Sequence, residues 1–181
     1  MITEEESLIL QSYMMVSLFA ELGNNNFFSS NYFSEMKFGF PEIKNLLQAN
    51  GIDNQGSLIM SLYAMLVVPY ELVQKRYPSE FSTVNDFLKS KIEIIHDTYT
   101  YTPDSSVYVF MYHIRNAVAH CRISFIPGSI VIPGSIVFID SNRNQTKQFE
   151  GKLTLPDVCE FIDKLQREVM FKVIKDIQSR Q

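Results

Sequence analysis

The residue types best suited to chemistry stand together in one short segment, Arg115 to His120. The chain has three histidines, and two of them, His113 and His120, lie in or close to this segment. Histidine exchanges protons near neutral pH, and arginine binds and neutralises phosphate oxygens. With Asn116 to orient either group, the set predicts attack of an RNA 2′-hydroxyl on the adjacent phosphate without a metal. In this hypothesis His120 transfers protons and Arg115 stabilises the developing charge.

A helix over residues 105–121 is predicted to position these side chains. At about 100° per residue, its apolar side chains share one face, which we expect to pack in the core. That face consists of Val107, Phe110, Met111, Ile114, Ala117, Val118 and Cys121. His113, Asn116 and His120 share a second face, and Arg115 and Arg122 share a third. We expect both of these faces to point away from the core, and we predict that His113 and Arg122 bind the substrate.

The spacing of Arg115 and His120 bears on the number of copies that a site requires. On an ideal helix the two side chains lie about 140° apart around the axis, so one copy does not readily direct both at a single phosphate. Two copies related by a twofold axis present the same patch twice to one cleft. The spacing therefore predicts a homodimer with the site at its interface.

Each of these residues also has a purely structural interpretation. Arg115 can cap backbone carbonyls, and His120 stands near a helix C-terminus, where a positive charge interacts favourably with the helix dipole. Asn116 can form a hydrogen bond that supports a dimer, and Arg122 can border a hairpin. The sequence leaves these alternatives open.

Metal and cofactor chemistry finds little support in the sequence. His113, His120 and Cys121 are badly spaced for zinc, because adjacent residues diverge on a helix. There is no Gly-rich phosphate loop, no nucleophile elbow and no cluster of carboxylates. We therefore expect no metal and no cofactor.

The run from Arg115 through Asn116 to His120 resembles the signature of the HEPN superfamily, an arginine followed by a polar residue and, a few positions later, a histidine. The order of long helices, motif helix, short β segment and last helix is also similar. The resemblance implies a helical bundle, a homodimer and metal-independent RNA cleavage at the dimer interface. It also implies that Arg115 and His120 are catalytic and Asn116 supports them. Many members are toxins or defence ribonucleases, which implies an RNA substrate and an antitoxin or other regulatory partner protein.

Two positions depart from the pattern of related sequences. Cys121 stands where glycine is frequent, and Arg122 stands where some toxins have a tyrosine that a partner enzyme modifies. Since many members of the superfamily are inactive, the alternative is a catalytically silent HEPN-like module that binds a partner protein or a nucleotide.

The rest of the chain is predicted to form a mostly α-helical bundle. Five helices are expected, over residues 3–22, 55–76, 79–99 and 105–121 and from Thr154 towards the C-terminus. Thr3 with Glu6, and Thr154 with Asp157, have the spacing of capping residues, and Pro69 is expected to kink or split the second helix.

Two segments break the helical pattern. The aromatic-rich residues 27–52 are expected to be largely loop, with a short helix that begins at Pro41 and ends at Asn50–Gly51. Residues 122–150 are rich in Ile, Val and Phe and are expected to form a small antiparallel hairpin or meander. Its two Ile-Pro-Gly-Ser-Ile-Val repeats suggest type II turns, with the glycines at positive φ.

Composition limits the class of protein. With 181 residues, 46% of them hydrophobic, the chain is predicted to be one globular domain over residues 1–181. Its net charge of −4 argues against a protein that binds long duplex nucleic acid non-specifically. Cys121 and Cys159 form no motif, and Cys159 is expected in the core. The apolar stretch 58–70 is shorter than a membrane span. We therefore expect a cytoplasmic protein with no membrane segment.

Overall fold

The computed structural model describes residues 2–52, 54–100 and 109–180. In these ranges the chain is mostly α-helical, with one small antiparallel sheet placed before the last helix, as the sequence predicts. The start of the predicted fourth helix and its expected cap at Asp104 lie outside the described residues.

The helices cover most of the described chain. The first part contains α1 (Glu4–Asn24), a 3₁₀ turn (Phe27–Ser29), α2 (Asn31–Glu35) and α3 (Pro41–Asn50). The central helix, Gln55–Val73, consists of α4 (Gln55–Leu62), a π-helical turn (Tyr63–Val67) and α5 (Val68–Val73). After it come α6 (Pro78–Lys91) and α7 (Val109–Ala119). The last helix consists of α8 (Leu155–Lys164), a second π-helical turn (Leu165–Met170) and α9 (Phe171–Gln178).

The sheet contains four strands in the order β1-β4-β3-β2, and every neighbouring pair is antiparallel. The strands are β1 (Glu93–Asp97), β2 (Ile123–Ile126), β3 (Ser135–Ser141) and β4 (Gln148–Thr154). One face of β3 packs on α7, and Ile136, Phe138 and Leu153 join the helical core.

Both predicted capping sites are confirmed. Thr3 accepts a hydrogen bond from the Glu6 amide, and the Glu6 carboxylate accepts one from the Thr3 amide, so this pair is a complete capping box. Thr154 accepts from the amide of Asp157 at the start of α8. These caps satisfy backbone N–H groups that have no partner within their own helix.

Pro69 does not split the central helix. The π-helical turn that precedes it is wider than an α-turn, which accommodates a residue that has no N–H to donate and would crowd the preceding carbonyl. The helix is long and apolar enough to span a membrane by length and composition alone, unlike the shorter stretch expected from the sequence. Leu62, Met65 and Leu66 are fully buried in it, as in the core helix of a globular fold.

The prediction of a helix over residues 79–99 is wrong in its second half. The helix ends at Lys91, and the β-branched run that follows forms β1, which pairs with β4. His96 and Asp97 therefore lie in an edge strand. Ile92 and Ile95 have helical spacing, whereas Ile92 and Ile94 have the alternating spacing of a strand, so periodicity alone does not separate the two.

The two Pro-Gly pairs of the β2–β3 hairpin do not form the predicted type II turns, because neither glycine has a positive φ. Their glycines are needed for space. A Cβ on Gly128 would lie 2.4 Å from the backbone nitrogen of Gly134, which is closer than any real contact. The two repeats thus bring the backbone at Gly128 and the backbone at Gly134 into close contact at the base of the loop.

Two further expectations need correction. Cys121 and Cys159, both expected in the core, are exposed. The aromatic-rich segment is more regular than a loop, since it forms the 3₁₀ turn and α2 around the buried ring of Phe33. The short helix α3 begins at Pro41 and ends before Gly51, which has a φ of 61°, as predicted.

Candidate functional site around α7

The start of α7 is held by a neighbouring helix. The side-chain oxygen of buried Asn85, on α6, accepts hydrogen bonds of 3.1 Å from the amides of Phe110 and Met111. These amides lie in the first turn of the described part of α7. Asn85 therefore fixes the backbone of α7 against α6.

The other end of α7 is a Schellman motif. The amide of Cys121 donates to the carbonyl of Val118, and the amide of Arg122 donates to the carbonyl of Ala117. Cys121 has a φ of 53°, in the left-handed region that this position requires and that glycine adopts most easily. The position where related sequences frequently have glycine is therefore the one at which the backbone turns left-handed. His120 is the residue immediately before this turn.

A buried carboxylate on β3 connects the sheet to α7. Asp140 Oδ2 lies 2.8 Å from His113 Nδ1 and 3.1 Å from Asn116 Nδ2. Because an ionised carboxylate only accepts hydrogen bonds, Nδ1 of His113 carries the proton. Burial by itself raises the pKa of Asp140, but the hydrogen bonds from His113 and Asn116 outweigh it and keep the pKa below its ordinary value. Asp140 is thus a buried acceptor with two donors.

His113 lies inside the fold. Its side chain is 1% exposed, and its ring stacks on Phe149 with centroids 4.4 Å apart and contacts Tyr99 and Tyr112. The expectation that the face of His113 and Asn116 points away from the core is wrong, because the sheet covers it. In this position His113 holds Asp140, and its ring is not open to a substrate.

Asn116 and Arg115 extend the connection towards the surface. Asn116 donates through Nδ2 to Asp140 and accepts at Oδ1 a hydrogen bond of 2.5 Å from Arg115. Arg115 also forms an ion pair with Glu71 of α5, and its guanidinium lies over the ring of Tyr70, 5.9 Å from the centroid. An amide side chain can donate to a carboxylate through its nitrogen and accept from a guanidinium through its oxygen at the same time. Asn116 thereby fixes the direction of the arginine.

Arg115 is partly accessible, with 20% of its side chain exposed. Its Nε is buried and has no hydrogen-bond partner among the described residues. The guanidinium is therefore well fixed on two of its nitrogens and retains donor capacity on the third.

The remaining predicted residues lie at the end of the helix. His120 is exposed, and its side chain forms no hydrogen bond or ion pair with the described part of the chain. Arg122 donates from Nη1 to the carbonyl and the hydroxyl of Ser141, at 3.2 and 2.9 Å, and so borders the hairpin. The structure brings Arg115, Asn116 and His113 into one connected set, and places His120 and Arg122 outside it.

Sequence reasoning missed Asp140, Glu71 and Asn85. Asp140 was detectable in principle, because it shares the inward face of its strand with Phe138, where an acidic residue is unusual. Glu71 is the first charged residue after a long uncharged helical run. The sequence alone does not reveal that Asp140 or Glu71 contacts α7.

No group of three or more His, Cys, Asp or Glu residues within the described ranges could hold a metal ion. The model of a family described as HEPN pEK499 p136 matches residues 3–176. No curated protein and no solved structure matches the chain. Since the matched region covers nearly the whole sequence and includes the motif on α7, the chain belongs to this HEPN family.

Proposed function

We propose that this protein is a metal-independent endoribonuclease. The observation that carries the proposal is the hydrogen-bonded set of Asp140, Asn116 and Arg115, which fixes a partly exposed guanidinium close to the exposed His120, whose side chain has no partner among the described residues. A buried carboxylate and a bridging amide that orient an arginine are typical of preorganised sites. Membership of a HEPN family is compatible with nuclease chemistry.

In the proposed reaction, an RNA 2′-hydroxyl attacks the adjacent phosphorus and the bond to the 5′-oxygen breaks. His120 accepts the proton of the 2′-hydroxyl, and water donates a proton to the leaving 5′-oxygen. Arg115 stabilises the negative charge that builds on the non-bridging oxygens. The products are a 2′,3′-cyclic phosphate and a 5′-hydroxyl, and DNA is not cut because it lacks the nucleophile.

The residues around Arg115 and His120 have different proposed roles. Glu71 holds one nitrogen of Arg115 in the free protein, so an incoming phosphate competes with this carboxylate for the guanidinium. We assign Asn116 and His113 to positioning, and we keep Arg122 as a residue that contacts substrate phosphate next to Ser141.

The biological setting is also part of the proposal. A homodimer brings two copies of the helix to one cleft, and such a ribonuclease needs a regulatory partner protein, of the antitoxin kind or one that responds to infection. Its RNA substrates place it in the cytoplasm.

One observation favours a second function. Both terminal nitrogens of Arg115 already have protein partners, Asn116 and Glu71. If Glu71 is not displaced, Arg115 is a structural residue and the protein is a silent HEPN module that binds a partner protein or a nucleotide.

The deciding experiment incubates purified protein with a mixed RNA pool in EDTA. We expect fragments that end in 2′,3′-cyclic phosphate, and a loss of rate of at least about 100-fold in Arg115→Ala and in His120→Ala. The matched control is Arg167→Ala, since Arg167 is exposed on the last helix, pairs with Asp163 and takes no part in the contacts of the site. Absence of cleavage by a folded wild-type protein would favour the silent module.

A further inference from the structure

The loop between β2 and β3 ends in three consecutive aliphatic side chains that the rest of the described chain leaves in contact with water. Ile130 is 107% exposed, Val131 is 88% exposed and Ile132 is 67% exposed. We name these three residues the apolar tip. Single apolar residues are normal on a protein surface, but three in succession at the end of a loop form an apolar patch, which typically marks an interaction site.

The apolar tip has a defined backbone conformation. The amide of Ser129 donates to the carbonyl of Ile132 at 2.7 Å, and the Ser129 hydroxyl oxygen accepts from the amides of Val131 and Ile132 at 3.4 and 3.1 Å. At the base of the loop, the backbones at Gly128 and Gly134 approach so closely that Gly128 has no room for a Cβ. The tip therefore holds its shape without a partner, and little conformational entropy is lost when it binds.

The same hydrogen bonds suit the tip to a medium without water. Three of the four amides in Ser129–Ile132 already have acceptors within the turn, and Pro133, the next residue, has no N–H. In hydrocarbon the backbone polar groups must find their partners within the protein, because no water is present to provide them. In addition, no charged residue occurs at positions 123–139. The segment therefore loses little favourable hydration when it leaves water.

Charged side chains occur below the loop, where they form ion pairs. Lys152 of β4 pairs with Glu93 of β1 at 2.7 Å, and Lys91 pairs with Asp157 and Glu160 of α8 at 3.0 and 3.3 Å. These elements adjoin the base of the loop, since the end of β4 pairs with the start of β3 and the first amide of α8 donates to the loop backbone at 2.8 Å. Two lysines and three carboxylates leave no basic excess, which anionic lipids would attract.

We propose that the apolar tip inserts into a lipid surface with zwitterionic headgroups. A fluid acyl layer adapts to a convex tip, whereas a protein partner would need a pocket of matching shape. Ile130 stands two residues beyond Gly128, so the tip extends at most about 7 Å beyond the base at about 3.3 Å per residue. This reach lies within the depth of about 5–10 Å to which interfacial elements enter a bilayer. The contact needs no membrane-spanning helix and does not rest on the proposed RNA cleavage.

The contact is weak and reversible. The apolar tip presents about eleven side-chain carbons, slightly fewer than a myristoyl chain, whose partition constant is about 10⁴ M⁻¹. We therefore expect a partition constant of about 10³ M⁻¹, with half of the protein bound near about 1 mM accessible lipid.

The test is flotation of the purified full chain with phosphatidylcholine vesicles between about 0.1 and 5 mM lipid. We expect wild type to float at the higher lipid concentrations, in low and in high salt alike, because screening does not weaken an uncharged contact. Val131→Asp should lower the partition constant by at least about 30-fold, because it places a charge in the inserted segment. The matched control is Phe40→Asp, which introduces the same charge at a residue that is 71% exposed and lies outside the tip. It should float like wild type.

A fluorescent reporter shows which part of the chain enters the lipid. The chain contains no tryptophan, so a single introduced indole reports the surroundings of its own position. When vesicles are added, the emission of Ile130→Trp should shift to shorter wavelength, as the indole leaves water, and that of Phe40→Trp should not. All four substituted positions are strongly exposed, so the variants should retain the wild-type circular dichroism.

Three outcomes overturn the proposal. The first is a wild-type chain that does not float, and the second is flotation that persists in folded Val131→Asp. The third is flotation that requires phosphatidylserine and disappears in high salt, because a charged surface elsewhere on the chain would then carry the binding. RNA cleavage is measured separately on Val131→Asp and should equal that of wild type, so the lipid contact and the proposed function stand or fall independently.

Discussion

The most informative single change is Asp140→Asn, which keeps the shape of the side chain and removes its charge. Asp140 is 3% exposed and uses one oxygen to accept from both His113 and Asn116. Hydrogen bonds to a charged group contribute about 1.5–3 kcal/mol each. The amide oxygen can occupy the position of Oδ2, but it is a neutral and therefore weaker acceptor for both hydrogen bonds. We therefore expect a loss of about 3 kcal/mol in the free energy of unfolding.

For a chain of this length, each kcal/mol changes the melting temperature by about 2–4 °C, so Asp140→Asn should melt about 6–12 °C below wild type. Urea denaturation followed by circular dichroism gives the free energy directly. The control is Asp163→Asn, since Asp163 forms an exposed pair with Arg167, four residues away on the last helix, and its loss should cost under about 0.5 kcal/mol.

A double-mutant cycle makes the reasoning refutable. His113→Phe preserves a ring that can stack on Phe149 but removes the donor to Asp140. If the two residues are joined as the geometry shows, the losses from Asp140→Asn and His113→Phe should fall short of additivity by about 1 kcal/mol or more. Additive losses, or a loss below about 0.5 kcal/mol for Asp140→Asn alone, would refute the account of Asp140 as the anchor of the site.

Three other perturbations test separate features. Cys121→Gly should raise the melting temperature by about 2 °C, because glycine adopts the left-handed backbone of this position without strain and this gain exceeds the entropy that glycine adds to the unfolded chain. Cys121→Ala should not raise the melting temperature. The hydrogen bond from Arg180 lowers the pKa of buried Glu6 to about 2, against an ordinary value of 4.5, so the stabilisation is complete above pH 4.5 and is lost as the pH falls towards 2. Glu6→Gln should therefore cost about 2 kcal/mol at pH 7 and flatten the dependence of the urea midpoint on pH in that window. Gly128→Ala should cost at least about 2 kcal/mol by thermal melting, whereas Gly39→Ala, with open space around it, should be nearly neutral.

Local signals in the sequence were sufficient for much of the helical frame. Thr3 with Glu6, Pro41 with Gly51 and Thr154 at the last helix mark element ends through backbone hydrogen bonding, which depends on near neighbours alone. The apolar residues of segment 92–97 are compatible with both a helix and a strand, and pairing with a neighbouring strand determines which of the two forms. Strand β1 exists because β4 lies beside it, and β4 is more than fifty residues away in sequence.

The site shows the same limit. Arg115, Asn116 and His120 are recognisable from their types and spacing, whereas Asp140 and Glu71 come from a strand and a helix that meet α7 only in three dimensions. The helical wheel assigned one core face to α7, but the sheet covers a second one, so His113 is buried. Amphipathic patterns identify surfaces buried by apolar contact, and they do not detect a face buried through hydrogen bonds to a carboxylate.

The π-helical turn in the central helix sets the direction in which every later side chain of that helix points around the helix axis. A π turn accommodates one extra residue, which shifts the phase of the residues after it by about 100° relative to an uninterrupted α-helix. Glu71 comes after this turn, while Met60 comes before it. Removing one residue from the turn, for example Ala64, would let the helix close into regular α geometry and rotate Glu71 away from Arg115. The ion pair between Glu71 and Arg115 at the candidate site therefore depends on the length of a single turn in the central helix.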